Sequence, residues 1–285
     1  MAEASGRFRL VRHLTVGAEF TADLSQPLTP DERAELRDLF LTHGLLYFPD
    51  QSMSLARQPD VLASIGPVLQ RYDGMSYVST DEKKGTLGRS ELIFHSDLDF
   101  SASPVTALSL LATDVVPLAT STRFASNRGA LARLPADLVA ELRGLSLLTA
   151  LPSDYGTPLD GAEIGADVPQ IVRSPFVPHP LSGEPTLMVS QQAVRFEGVP
   201  AERSQSLLDQ IRTWLYAPDN IYEHHWRNGD FVIWDNCALQ HARGPITCDG
   251  QRTLQRVAVA ELSFYDLVDW PEPQRPLVEP LNAAT

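Results

Sequence analysis

Near the C-terminus, Arg252, Leu254 and Arg256 alternate with Thr253, Gln255 and Val257. In an extended strand alternate residues share a face, so both guanidiniums point the same way. A guanidinium on the inward face of a sheet is costly unless it meets an anion, and its planar fork is shaped to grip a carboxylate. The alternation therefore asks for β-structure closed around an anionic group, and a dicarboxylate meets that need. An internal ion pair is the plainer account of Arg252 taken alone.

The segments before this strand carry candidate metal ligands. Gly229-Asp230 opens the apolar run Phe231, Val232, Ile233 and Trp234, which reads as a buried strand; the chain then turns and reaches His241, eleven residues before Arg252. Among seven histidines only His95 begins a His-x-Asp or His-x-Glu triplet, His95-Ser96-Asp97. If these residues lie in an extended strand, the His95 imidazole and Asp97 carboxylate reach one ion from the same side. A distant His241 then supplies the third corner. Two His and one carboxylate leave the opposite positions open for a co-substrate and O2, which suits a non-haem Fe(II) oxygenase.

Periodicity and punctuation give the organisation of the chain. Leu36, Leu39 and Phe40 at helical spacing, after Thr29-Pro30-Asp31, predict a helix over 31–43 that Gly44 ends. Residues 45–49 read as a short strand, about 55–65 as a second helix, 105–111 as a strand, and 127–143 and 200–217 as further helices. Residues 150–185 are rich in Pro, Gly and Asp without clear periodicity, and read as a mobile lid or insert. The tail from Pro271 reads as an extended surface segment. A mainly β fold with peripheral helices is expected, with a double-stranded β-helix core of the jelly-roll, cupin-like kind. A chain of 285 residues accommodates this as a single domain over 1–285.

The motifs as they stand resemble the taurine dioxygenase-like family of Fe(II)- and 2-oxoglutarate-dependent oxygenases. The likeness runs from VGAEFTADLSQPLTPDERAELRDLFLTHGLLYFPDQ through FHSDLDF and HPLSGEPTLMV to WRNGDFVIWDNCALQHARGP and GQRTLQRVAV. It implies that His95, Asp97 and His241 bind iron and that Arg252 pairs with the distal carboxylate of 2-oxoglutarate. Thr122, twenty-seven residues after His95, falls where the family places a threonine that helps hold the co-substrate. Arg256 matches a position that faces the co-substrate in some members and an anionic group of the prime substrate in others. The implied reaction consumes O2, releases succinate and CO2, and oxidises a C–H bond of a small molecule, hydroxylation first, with desaturation or oxidative cyclisation as the alternative. Departures fall on the substrate side: TSTRFAS at 120–126 replaces a Gly-Gly-Asp-Thr run, Cys237 stands where arginine is common, and Gly88 to Glu91 do not match the usual lead-in. They argue against taurine itself.

Other readings are bland by comparison. His13, His43 and His179 are structural, adjacent His224 and His225 face opposite ways on a strand-like segment, Trp226 and Trp234 fill the core, and Cys237 is a buried thiol. Asp235 and Asn236 hold the turn that aims His241. A metal-dependent hydrolase or isomerase on the same three ligands leaves Arg252 without an anion, and a cupin-like binding module predicts no succinate. The formal charge of −13 disfavours nucleic acid and anionic membrane as partners. With no long apolar run or signal-like start and two cysteines, the chain is expected to be soluble and cytoplasmic. Oligomeric state stays open, a homo-oligomer included.

Overall fold

The computed structural model describes residues 6–69, 76–103 and 105–262. The tail from Pro271 lies outside the described residues. Strands dominate. The larger sheet has eight strands in the order Arg9–His13, Ala18–Thr21, Leu45–Phe48, Phe231–Asp235, Ala107–Val115, Arg252–Val259, Ser76–Ser79 and Thr86–Leu87. A four-stranded sheet runs Ile221–His225, Ser121–Ser126, Leu239–Arg243 and Leu92–His95.

Apolar side chains from both sheets meet between them. Leu108, Leu110, Trp234 and Leu254 of the larger sheet share one buried cluster with Phe124 and Leu239 of the smaller. Period-two alternation explains how: Val232 and Trp234 face this layer, whereas Phe231 and Ile233 face outward onto the helices. On that outer face Leu36 and Phe40 of the helix Pro30–His43 pack with Val61 and Leu62 of Arg57–Leu62. The result is the two-sheet, helix-flanked jelly roll expected from the sequence.

Local signals acted largely as read. Thr29 caps Pro30–His43 through the Glu32 N–H, and the Glu32 carboxylate returns to the Thr29 N–H, a complete capping box. Gly44 closes the helix in the left-handed region at φ 71°. The helix Ala201–Leu215 buries Leu207, Leu208, Ile211 and Leu215 along one stripe. The helix expected over 55–65 is shorter, Arg57–Leu62, and the strand expected over 105–111 runs instead from Ala107 to Val115. The helix expected over 127–143 is two helices, Asn127–Leu131 and Ala136–Leu142. Pro135 has no N–H to continue the first and serves as N-cap of the second.

Residues 150–185 are more structured than their composition suggests. Gln170–Arg173 pairs with Leu147–Ala150, and Phe176–Pro178 pairs with Pro185–Leu187. Arg173 also crosses to Asp99, donating to its carboxylate and to its backbone carbonyl at 2.7 Å. Thus this segment is tied to the turn that follows His95.

Close backbone approach fixes one glycine early in the larger sheet. Gly17 adopts φ +87°, and a Cβ there would lie 2.4 Å from the Leu45 carbonyl oxygen. Gly17→Ala is expected to destabilise the protein by about 2 kcal/mol or more, read as a lower denaturant midpoint. An unchanged midpoint would show that the two strands part without penalty.

Candidate metal and co-substrate site

His95 ends the strand Leu92–His95, and its cross-strand partner is His241 on Leu239–Arg243. Pairing puts the two imidazoles side by side, with ring centroids 4.2 Å apart. Asp97 does not share the strand with His95, as the two-residue spacing suggested; the strand stops at His95 and Asp97 occupies the turn beyond it. The carboxylate arrives all the same. Asp97 Oδ1 lies 3.3 Å from His95 Nε2 and 3.4 Å from His241 Nε2.

What holds Asp97 there is Asn236. The Asp97 N–H donates to Asn236 Oδ1 at 2.8 Å, and Asn236 Nδ2 donates back to the Asp97 carbonyl at 3.0 Å and to the Val105 carbonyl at 2.8 Å. Asn236 therefore aims Asp97 rather than His241. Asp235 takes the role expected of the pair, accepting the N–H groups of Cys237 and Ala238 at the turn into the strand of His241. It is itself 2.8 Å from Nε2 of the buried His179.

The three donors are poised for a cation. His95 Nδ1 lies 2.7 Å from the Ile93 carbonyl, which fixes the proton on Nδ1 and leaves Nε2 as the free electron pair. Burial and the neighbouring His95 push the His241 pKa down to about 3, so its imidazole is neutral at neutral pH. Burial alone would raise the Asp97 carboxyl, but the Arg256 guanidinium, paired with Asp97 Oδ2, and the two imidazoles hold it well below the usual range. Two imidazoles and one carboxylate, all ligand atoms within 4.8 Å of one another, fit a divalent first-row metal.

Arg252 lies deeper, on the facing sheet. It is 2% exposed, its Nη2 is 3.4 Å from Thr122 Oγ1, and its Nε and Nη1 have no partner among the described residues. Thr122 Oγ1 is held in turn by Trp226 Nε1 at 3.0 Å. Burial, then the charge of Arg243, pull the Arg252 pKa down to about 9. Arg252, Arg256, Thr122 and the His95–Asp97–His241 set line one small cavity of about 60 Å³. Such unpartnered N–H groups on a buried guanidinium are what a missing anion leaves behind.

A larger cavity of about 330 Å³ opens from the same cluster. Leu69, Leu92, Phe100, Val105 and Leu151 give it apolar walls, and Arg256, Tyr155 and Gln192 are its polar points. The other histidines stay outside both cavities. His224 is buried in a network with Tyr222 Oη at 3.0 Å and Asp230 Oδ2 at 3.2 Å, while His225 is exposed. Trp226, Trp234 and Cys237 are buried, as read. Three residues went unread: Asn236 in its actual role, Gln192, and Arg243, whose position two residues after His241 placed it on the same strand face.

Solved dioxygenases share this architecture. The structure of AAD-2 in complex with Mn(II) and N-oxalylglycine superposes with a TM-score of 0.76 at 24% identity, covering 89% of this chain and 96% of that one. In sequence, the chain is 28% identical over 271 residues to the (S)-phenoxypropionate/alpha-ketoglutarate-dioxygenase of Sphingobium herbicidovorans, covering 86% of this chain and 92% of that protein. It is 29% identical over 267 residues to the alpha-ketoglutarate-dependent 2,4-dichlorophenoxyacetate dioxygenase of Cupriavidus pinatubonensis, covering 84% and 92%. Residues 9–258 match the model described as "Taurine catabolism dioxygenase TauD, TfdA family", and the chain belongs to that family. It is an oxidoreductase of the dioxygenase class.

Proposed function

We propose that His95 Nε2, His241 Nε2 and an Asp97 oxygen hold Fe(II), and that Arg252 with Thr122 receives the distal carboxylate of 2-oxoglutarate. The observation that carries this reading is the convergence of the three donors beside a buried guanidinium with two unpartnered nitrogens, Nε and Nη1. With O2, iron and 2-oxoglutarate supply oxidation of a substrate C–H bond, coupled to formation of succinate and CO2.

The chain's own residues then have distinct tasks. Asn236 fixes the direction of Asp97, Thr122 and Arg252 fix the far end of the co-substrate, and the apolar walls around Phe100 and Leu151 exclude water. The prime substrate is a small molecule with a mainly apolar body, set by those walls. Arg256 borders both cavities and is the cation in reach of an acidic group on it, shared with Asp97. Leu151 and Tyr155 bring the 150–185 segment into the lining of this cavity, the place a lid would take. An unpaired Arg252 has no use in a hydrolase or isomerase without an anionic co-substrate.

Anaerobic titration with Fe(II) and then 2-oxoglutarate tests the reading through the visible charge-transfer band of the chelate. A band is expected. Iron binding without a band would remove 2-oxoglutarate from the assignment, and no iron binding would remove both. Succinate release with phenoxyacetate and with taurine then examines the substrate class; release with taurine alone would overturn the apolar body. A product sixteen mass units heavier marks hydroxylation, and one two units lighter marks desaturation or cyclisation.

The clamp on Asp97 gives a further expectation. Asn236→Ala should weaken iron binding by roughly 10- to 100-fold, because the ligand keeps its chemistry but loses its aim. An unchanged affinity would place the control of Asp97 elsewhere, in the Arg173–Asp99 tie.

A further inference from the structure

We propose that Arg243 is a second cationic brace for the distal carboxylate of 2-oxoglutarate, opposite Arg252; this rests on the co-substrate reading above. Arg243 is 3% exposed and ends the strand that carries His241. Its Nη2 donates to two backbone carbonyls, Leu87 at 3.0 Å and Ser90 at 2.5 Å, and its Nε and Nη1 have no partner among the described residues. It lines the same small cavity as Arg252 and Thr122.

Two buried guanidiniums thus border one space, each with two nitrogens unpartnered and neither with a carboxylate partner among the described residues. Like charges do not collect out of water without a counter-ion, and the hydrogen bonds of Arg243 go only to neutral carbonyls. The acceptors that these four nitrogens need are not available from Thr122 alone, which already accepts from Trp226 and Arg252. A carboxylate offers about four lone-pair sites and takes two guanidinium forks at once. At about 60 Å³ the space admits such a group and little more. Arg243 also ties the 87–90 backbone to the wall of this space, so a purely structural role must be separated from anion binding.

The test compares 2-oxoglutarate with 2-oxovalerate, which keeps the 2-oxo acid but has a methyl group where the distal carboxylate stands. Affinities are read anaerobically on the Fe(II)-loaded protein from the chelate absorption band, in wild type, Arg243→Met and Arg243→Lys. Arg243→Met is expected to weaken 2-oxoglutarate about tenfold or more while leaving 2-oxovalerate unchanged. Arg243→Lys, which keeps the charge and loses the fork, should fall between. The metal-free Arg243→Met protein should melt no lower than metal-free wild type, since a buried cation without a counter-ion is gone. Equal weakening of both 2-oxo acids, or an unchanged ratio between them, would overturn the brace and leave Arg243 as a tie for 87–90. Should Arg243→Met fail to fold, the ratio in Arg243→Lys decides alone. If wild type shows no band with 2-oxoglutarate, the co-substrate assignment itself fails, a result distinct from an unchanged ratio.

Discussion

Asp97→Ala is expected to bind iron more than ~100-fold more weakly than wild type and to release no substrate-dependent succinate above background. Two effects add. The site loses its one anionic donor, and Arg256, paired with Asp97 Oδ2 in wild type, is left as an unbalanced charge beside the metal position. The main-chain position should survive, because Asn236 holds Asp97 through its backbone N–H and carbonyl. Loss of iron with an intact fold is therefore the predicted combination, read by metal titration alongside far-UV circular dichroism. Iron retained at wild-type affinity would sink the ligand assignment. Acid unfolding gives a second readout on metal-free protein. The folded-state pKa of Asp97 is depressed from 3.8, so its contribution is present above the unfolded pKa and is lost as pH falls through the folded value. Wild type and variant should consequently converge in stability toward low pH.

Arg252→Ala is expected to leave iron binding in place while weakening 2-oxoglutarate by roughly 30- to 5,000-fold, the range for truncating one side of a buried, hydrogen-bonded charge pair. The geometry separates the two functions. Arg252 sits on the strand Arg252–Val259 of the larger sheet, whereas His95 and His241 pair with each other in the smaller one. Thr122, left with only Trp226 as a donor, cannot carry the anion by itself. Anaerobic titration separates the cases: a chelate band appearing at wild-type concentrations of 2-oxoglutarate would free Arg252 from this role.

Much of this was legible wherever the physics is local. The N-cap at Thr29 and the alternation of Arg252 with Arg256 are decided by neighbours within a few residues, and both stand in the structure as read. The break at Pro135 was missed by a reading that ran one helix through 127–143, although a missing N–H is a property of one residue. Other features depend on contacts distant in sequence. The strand of His95 ends before Asp97, in a turn clamped by Asn236, 139 positions away, and tied by Arg173 to Asp99, 74 positions away. No period near His95 encodes that. The strands Gln170–Arg173 and Phe176–Pro178 likewise exist through pairing, and their own composition reads as loop. Arg243 shows a middle case: its parity with His241 was available, but its burial without a carboxylate partner emerges only when the sheets are stacked.

The division of the site between two sheets has a mechanical meaning. The two metal-site histidines belong to one sheet of the sandwich and the Arg252 guanidinium to the other, and near the site the layers are joined by apolar packing, the Arg252–Thr122 hydrogen bond and the Arg256–Asp97 ion pair. A molecule gripped at one end by iron and at the other by Arg252 works as a rivet through both layers. Separation of the sheets then requires its release, so occupancy should suppress opening of the sandwich in proportion to ligand concentration over dissociation constant. Backbone amides of Leu239–Arg243 and Arg252–Val259 should slow together in hydrogen exchange, although those strands share no ladder.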